Sequence, residues 1–270
     1  METGVQGVAA KGGSSHRCLF EEPALTETQE TARVTATHTR GNDNDEDHLA
    51  QISMLHDDLN ERIVIDTNSI PWVKSPRPGI WRRMLERQGL ESGRATSIVR
   101  YEAGSQFPWH EHPLGEEFLV LDGVFSDEHG DYPAGTFVLN PPGSSHAPES
   151  RDGCSLFVKL CQYAGPGRGR FVVETRRIEW RVGPVPGIWV KELYSEAGHP
   201  EYVALLKWEP GARYPSHVHR GGEEVLVLEG ALVDEAGFYP SGTWIRNPPM
   251  SAHEPFSPKG CLLLVKTGGL

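Results

Sequence analysis

Residues Gly104–Gly123 read GSQFPWHEHPLGEEFLVLDG. Two histidines one residue apart, His110 and His112, lead into the acidic pair Glu116 and Glu117. An alternating apolar run from Phe118 to Leu121 then closes on Asp122 and Gly123. Successive side chains on a strand point to opposite faces. In an extended backbone His110, His112 and Glu116 therefore share one face and Glu117 takes the other. Two imidazoles and a carboxylate on one face form a ligand set for a divalent metal. A lone HxH pair is more often a polar strand than a metal site, so a second observation has to carry the reading.

An internal repeat supplies it. Gly211–Gly230 reads GARYPSHVHRGGEEVLVLEG, with His217, His219, Glu223 and Gly230 each 107 residues after His110, His112, Glu116 and Gly123. The same offset joins Tyr132-Pro133 to Tyr239-Pro240, Asn140-Pro141-Pro142 to Asn247-Pro248-Pro249, His146 to His253, Cys154 to Cys261 and Lys159 to Lys266. Upstream the offset is 108, as in Trp72 to Trp180 and Gly79-Ile80-Trp81 to Gly187-Ile188-Trp189. A repeat this long is a duplicated domain, since solenoid units are much shorter. Each copy keeps four ligand candidates in step: His110, His112, Glu116 and His146, then His217, His219, Glu223 and His253.

Short apolar runs broken by Gly, Pro, Asn and Asp about every ten residues predict an all-β chain. WRRMLERQGL, Trp81 to Leu90, has helical composition. Its counterpart WVKELYSEAG reads as a strand, so both are expected to be strands. Many short strands without helical crossovers predict a sandwich or barrel, the jelly roll being the form with inward-facing ligands. The expected division is a disordered tail over 1–57, one domain over 58–164 and a second over 165–270, with GPGRG at Gly165–Gly169 as the linker. The tail is rich in Gly, Ser, Thr, Asn and acids, with few large apolar residues, and cannot bury enough surface to order itself.

The spacing G-x5-HxH-x3-E-x6-G, met by Gly104, His110, His112, Glu116 and Gly123, resembles the first motif of the cupin superfamily. The second motif is matched by Gly135, Pro141, Gly143 and His146, with Ser150 where asparagine is usual. The second copy repeats this with Gly242, Pro248 and His253, but Met250 replaces the glycine and Ser257 the asparagine. The resemblance implies two tandem double-stranded β-helix (jelly-roll, cupin) domains, a bicupin, with one divalent transition metal in each. GEEFLVLDGVFSDEHGDYPAGTFVLNPPGSSHAP is most similar to the cupin domain of ChrR-type anti-sigma factors. That group carries an N-terminal zinc-binding module for a sigma factor, and its cupin senses oxidative stress. The first fifty residues here hold one cysteine, Cys18, and no HxxxCxxC-like cluster. Sigma-factor binding is therefore not expected to carry over.

Three histidines and a glutamate suit Zn first, and Fe, Mn or Ni next; a six-coordinate ion would keep positions for a ligand. Two functions follow as expectations. One is a metal-binding sensor responding to reactive oxygen or small molecules; the other is a metal-dependent dioxygenase acting on a small ketone or diketone. Other residues carry blander expectations: Glu117 and Glu224 facing outward in a solvated or interfacial role, Asp127, Glu128, Asp234 and Glu235 as solvated turn residues, and Cys154 and Cys261 as small core residues. Arg246 stands in the alignment column of Leu139, the clearest charged difference near the motifs.

The formal charge of −11 and pI near 5.5 argue against nucleic acid or an anionic membrane as partner. The partner expected is a small-molecule ligand or substrate, with a homodimer by analogy. No apolar run approaches a membrane span and no secretory signal is evident, so a cytoplasmic location is expected, with organelle targeting by the tail left open.

Overall fold

The computed structural model describes residues 54–89 and 93–270; the expected tail lies outside them as far as residue 53, and its last residues, expected as disordered to 57, are instead held by the pairing of Met54–Leu55 with Ile80–Gln88. Among the described residues there is no α-helix, only strands and one short 3-10 turn, Thr67–Ser69. Trp81 falls in the strand Ile80–Gln88 and its repeat in Ile188–Ser195, as the comparison of the two copies predicted.

Each repeat folds as a jelly roll. In the first, Ile80–Gln88, Ala95–Tyr101, Cys154–Leu160, Glu116–Asp127 and Thr136–Asn140 are neighbours in one sheet, all antiparallel. In the second, Ile188–Ser195, Tyr202–Trp208, Cys261–Thr267, Glu223–Asp234 and Thr243–Asn247 repeat that order. Each histidine pair sits on a separate two-stranded ribbon, His110–His112 with Ser144–His146 and His217–His219 with Ser251–His253. The glycine ending each first motif is obligatory. Gly123 and Gly230 have φ of 74° and 71°, and a Cβ there would lie 2.1 Å from the carbonyl oxygen of Gly153 or Gly260.

The strands nearest the two expected domain starts cross over. Ile63–Asp66 pairs with Thr243–Asn247 of the second repeat, while Phe171–Glu174 pairs with Thr136–Asn140 of the first. Each repeat thus lends its leading strand to the other's sheet.

Alternation along the strands separates two kinds of core. Phe118, Val120, Leu156 and Val158 fill the first barrel; Val225, Val227, Leu263 and Val265 fill the second. Residues of the opposite parity, including Leu119, Phe157, Leu226 and Leu264, join Phe137, Leu139, Trp244 and Tyr194 in one cluster drawn from both repeats. The outer face of each sheet is thus covered by the other repeat.

That covering corrects the expectation for Glu117 and Glu224. Both are buried, at 1% and 2% exposure, so the interfacial role holds and the solvated one does not. Buried carboxylates require partners, and here the partners are exchanged. Lys266 of the second repeat reaches Glu117 at 3.3 Å, where Tyr163 also donates its hydroxyl, and Lys159 of the first repeat pairs with Glu224. The lysines are repeat equivalents, as are the glutamates, so the interface obeys the reciprocity of a two-fold contact. Arg246 joins the same seam. Fully buried, it pairs with Glu86 at 2.7 Å and donates to the carbonyls of His56 and Asp58. Its difference from Leu139 therefore serves the seam between repeats. Cys154 and Cys261 are buried in the barrel cores, and burial pushes both thiols up to about 11.

Candidate metal centres

The ribbon register places His110 opposite His146 and His217 opposite His253. His112 and His219 follow two residues along on the same face. In the second repeat one ligand atom from each of His217, His219, Glu223 and His253 lies within 4.8 Å of all the others. In the first repeat His110, His112 and His146 meet the same limit. Glu116 joins two of them, its Oε2 lying 3.4 Å from His112 Nε2 and 3.5 Å from His146 Nε2. All eight sequence candidates are thus gathered into two clusters, with Glu116 standing slightly farther from His110.

Hydrogen bonds outside each cluster fix which ring nitrogen faces inward. His110 and His217 turn Nδ1 to the carbonyls of Pro108 and Pro215, both at 2.9 Å. His146 and His253 turn Nδ1 to Asp127 at 3.2 Å and Asp234 at 3.4 Å. A Nδ1–H held by an oxygen leaves the Nε2 lone pair directed into the cluster, the arrangement that metal-ligating imidazoles adopt. Nε2 of His219 and of His253 is buried with no hydrogen-bond partner among the described residues. His112 Nε2 and His146 Nε2 face each other at 3.1 Å. Convergent lone pairs of this kind fit a cation between them.

Charge agrees with that fit. Burial first, then the neighbouring His112, pushes His110 down to about 4; burial, His253 and His217 do the same to His219. These imidazoles are neutral near pH 7, the form that binds metal. Burial raises Glu116, but the imidazoles of His112, His146 and His110 outweigh it and hold the carboxyl below its usual range. Glu223 is pushed up to about 7 by burial, with Asp234 adding to the effect and a hydrogen bond from Asn247 opposing it.

Some residues the sequence reading passed over belong to these centres. Asp127 and Asp234, expected as solvated turn residues, are instead buried along their side chains, at 1% and 3% exposure, against the third histidine of each set. Glu128 and Glu235 stay exposed and accept from the backbone N–H of Ala147 and Glu254. Asn140 donates to Glu116 Oε2 and Asn247 to Glu223 Oε2, each at 3.0 Å, because each pair stands directly opposite in the ladder. The exact 107-residue repeat of Asp127 and Asn140 was the available signal. Ser150 and Ser257, the departures from the asparagine of the second motif, are fully buried and donate to the carbonyls of Val124 and Ala231. Met250 takes the left-handed conformation of its counterpart Gly143, φ 65° against 80°, and keeps the same backbone bond to the carbonyl of the second histidine. Of the other described histidines, His56, His129 and His199 lie in neither cluster.

Each cluster forms part of a barrel cavity. The first cavity is lined by Tyr101, Phe107, Phe125 and Leu156 and also by Arg82 and Arg87; in the second repeat their equivalents are Val190, which lines the second cavity, and Ser195, which does not. The strand Ile80–Gln88 carries both arginines to the first cavity.

The sequence profile of the ChrR cupin-like domain matches residues 60–164 and again residues 168–270. A search of curated proteins returns no match. Among solved structures, the chain is similar to a Nostoc punctiforme protein provisionally described as a dioxygenase, with TM-score 0.64 and 15% identity, covering 78% of this chain and 84% of that one. It is also similar to an oxalate decarboxylase of Lactobacillus farciminis in complex with formate, with TM-score 0.56 and 14% identity, covering 77% and 86%. The nickel(II) complex of the Escherichia coli pirin YhhW gives TM-score 0.57 and 13% identity, covering 77% and 99%. At these identities the likeness is one of fold. Two consecutive profile matches over two jelly rolls make the conclusion plain: the chain belongs to the ChrR cupin-like family and is a bicupin.

Proposed function

We propose that this protein is a two-centre metal-binding bicupin that binds a small molecule beside each metal and serves as a sensor of reactive oxygen or of small reactive compounds. The observation carrying the reading is the convergence of three imidazoles and a carboxylate on the wall of each barrel cavity. His110, His112, Glu116 and His146 would hold one ion and His217, His219, Glu223 and His253 the other, with Zn the first expectation and Fe, Mn or Ni next. A bound ion would act as a Lewis acid toward an oxygen of the ligand. The residues themselves orient the donors, and apolar side chains form most of each cavity wall on the barrel side. The sensory role draws its support from membership of the ChrR cupin-like family.

A second reading, a dioxygenase acting on a small ketone or diketone, is favoured by the second cavity, which Ile188, Leu206, Leu232 and Leu263 line together with the cluster. Elemental analysis of protein purified without a chelating tag tests both. The proposal expects two ions per chain, and one fewer in His217→Ala/His219→Ala. Metal content unchanged by that double substitution would sink it. Oxygen uptake by Fe(II)-loaded protein with a panel of ketones, abolished in a His110→Ala/His217→Ala variant, would favour the enzyme; Zn with no uptake favours the sensor.

A further inference from the structure

Each candidate centre is braced by an arginine from the other repeat. Arg62 stands at the start of the exchanged strand Ile63–Asp66, and Arg170, its equivalent at offset 108, at the start of Phe171–Glu174. Because the strands cross, Arg62 of the first repeat lies against the second centre. It donates from Nε to Asn247 Oδ1 at 2.8 Å, and from one terminal nitrogen to the Tyr239 hydroxyl and Asp234 Oδ2, both at 2.9 Å. Arg170 of the second repeat lies against the first centre, donating from Nε to Asn140 Oδ1 at 3.0 Å and from a terminal nitrogen to the Tyr132 hydroxyl at 2.7 Å.

Two relays leave each guanidinium. In one, the arginine fixes the asparagine oxygen, so the asparagine NH2 must face the other way, where it donates to Glu116 or Glu223. In the other, the tyrosine accepts from arginine and donates to Asp127 or Asp234, and that carboxylate holds Nδ1 of His146 or His253. A guanidinium offers several donors in one rigid plane, which lets one side chain set both branches. The outward bond of a ligating group fixes its orientation and tautomer, and such partners contribute strongly to metal affinity.

We infer that Arg62 and Arg170 are positioning residues through which each repeat orients two of the four donors of the other repeat's metal centre, so that the pair of repeats, and not the single cupin domain, is the metal-binding unit. The inference rests on the metal reading proposed above for the same clusters.

The test is Co(II) titration of the full chain, with d–d absorption reporting ligand geometry and chelator competition giving Kd. In a His110→Ala/His112→Ala background, which leaves the second centre to report, Arg62→Ala is expected to weaken Co(II) about 10- to 100-fold, and Arg170→Ala to leave it within about twofold. In a His217→Ala/His219→Ala background the two arginines exchange roles. Arg62→Lys keeps the charge but cannot span Asn247 and Tyr239 together; it is expected to shift the Co(II) spectrum and weaken binding. That variant keeps the question open to measurement if the alanine variant fails to fold. An unchanged Kd and spectrum in Arg62→Ala, or an equal loss at both centres, would overturn the inference. Absence of Co(II) binding by the unsubstituted chain would instead overturn the metal reading beneath it.

Discussion

Replacing Lys159 by methionine should destabilise this protein more than removing the whole ion pair. Lys159 is 1% exposed, and its ammonium touches Glu224, Thr96 Oγ1 at 3.1 Å and Gln162 Oε1 at 3.4 Å. In Lys159→Met, Glu224 keeps an indole N–H from Trp244 at 3.2 Å and the Arg94 guanidinium at 3.6 Å, but loses its direct ammonium partner in a buried site. Breaking a buried pair from one side costs about 3–5 kcal/mol. With Arg94 still near, about 3 kcal/mol is expected. The double variant Lys159→Met/Glu224→Leu removes both charges and leaves the Trp244 N–H unpaired, a cost of about 1–2 kcal/mol. It should therefore be more stable than the single variant by about 1–2 kcal/mol. Urea unfolding of the metal-free chain, followed by tryptophan fluorescence, measures both, with Trp244 as a reporter at the seam. A cost under about 1 kcal/mol for Lys159→Met, or a double variant no more stable than the single one, would refute the account of a paired buried charge.

Two further outcomes are expected. Burial raises Glu224, but Lys159, Arg94 and Lys266 outweigh it and hold the carboxyl below its usual range. A carboxyl depressed on folding contributes stability above its unfolded pKa of about 4.3 that is lost as pH falls through the folded value. The metal-free chain should thus lose stability below about pH 4.3, and with a shallower slope in Lys159→Met/Glu224→Leu; equal slopes by acid titration of urea midpoints would count against it. Met250 is 69% exposed and held at φ 65°, where a side chain costs about 1–2 kcal/mol that glycine avoids at some entropic cost. Met250→Gly should therefore raise stability by up to about 1 kcal/mol in thermal unfolding, and a lower midpoint would contradict the strain.

How much of this was legible beforehand depended on the range of the forces involved. Strand periodicity is local, so HEH, HVH and the alternating runs after them predicted extended backbone and the shared face of His110, His112 and Glu116. The repeat added His146 and His253, because duplication preserves a residue's role even when its spatial neighbours are unknown. Asp127 and Asn140 repeat just as faithfully, yet Asp127 is expected as a solvated turn residue and Asn140 carries no expected role. Nothing in the chain says that their oxygens and nitrogens are spent on a histidine and a glutamate until the hairpin folds back.

Parity correctly separated Glu116 from Glu117, but it gives only the opposite face and not what lies beyond it. The covering of that face by a second sheet turned Glu117 and Glu224 from candidate surface charges into buried ones with exchanged lysine partners. The crossing of Ile63–Asp66 and Phe171–Glu174 is likewise invisible in a sequence, since either repeat could have closed its own sheet with the same strand. Backbone pairing is indifferent to which copy supplies the edge; side-chain contacts such as Arg62 to Asn247, 185 residues apart, exist only once the copies have packed. The two sets of three histidines and a glutamate were written in the chain, and their bracing arose from the contact between the two halves.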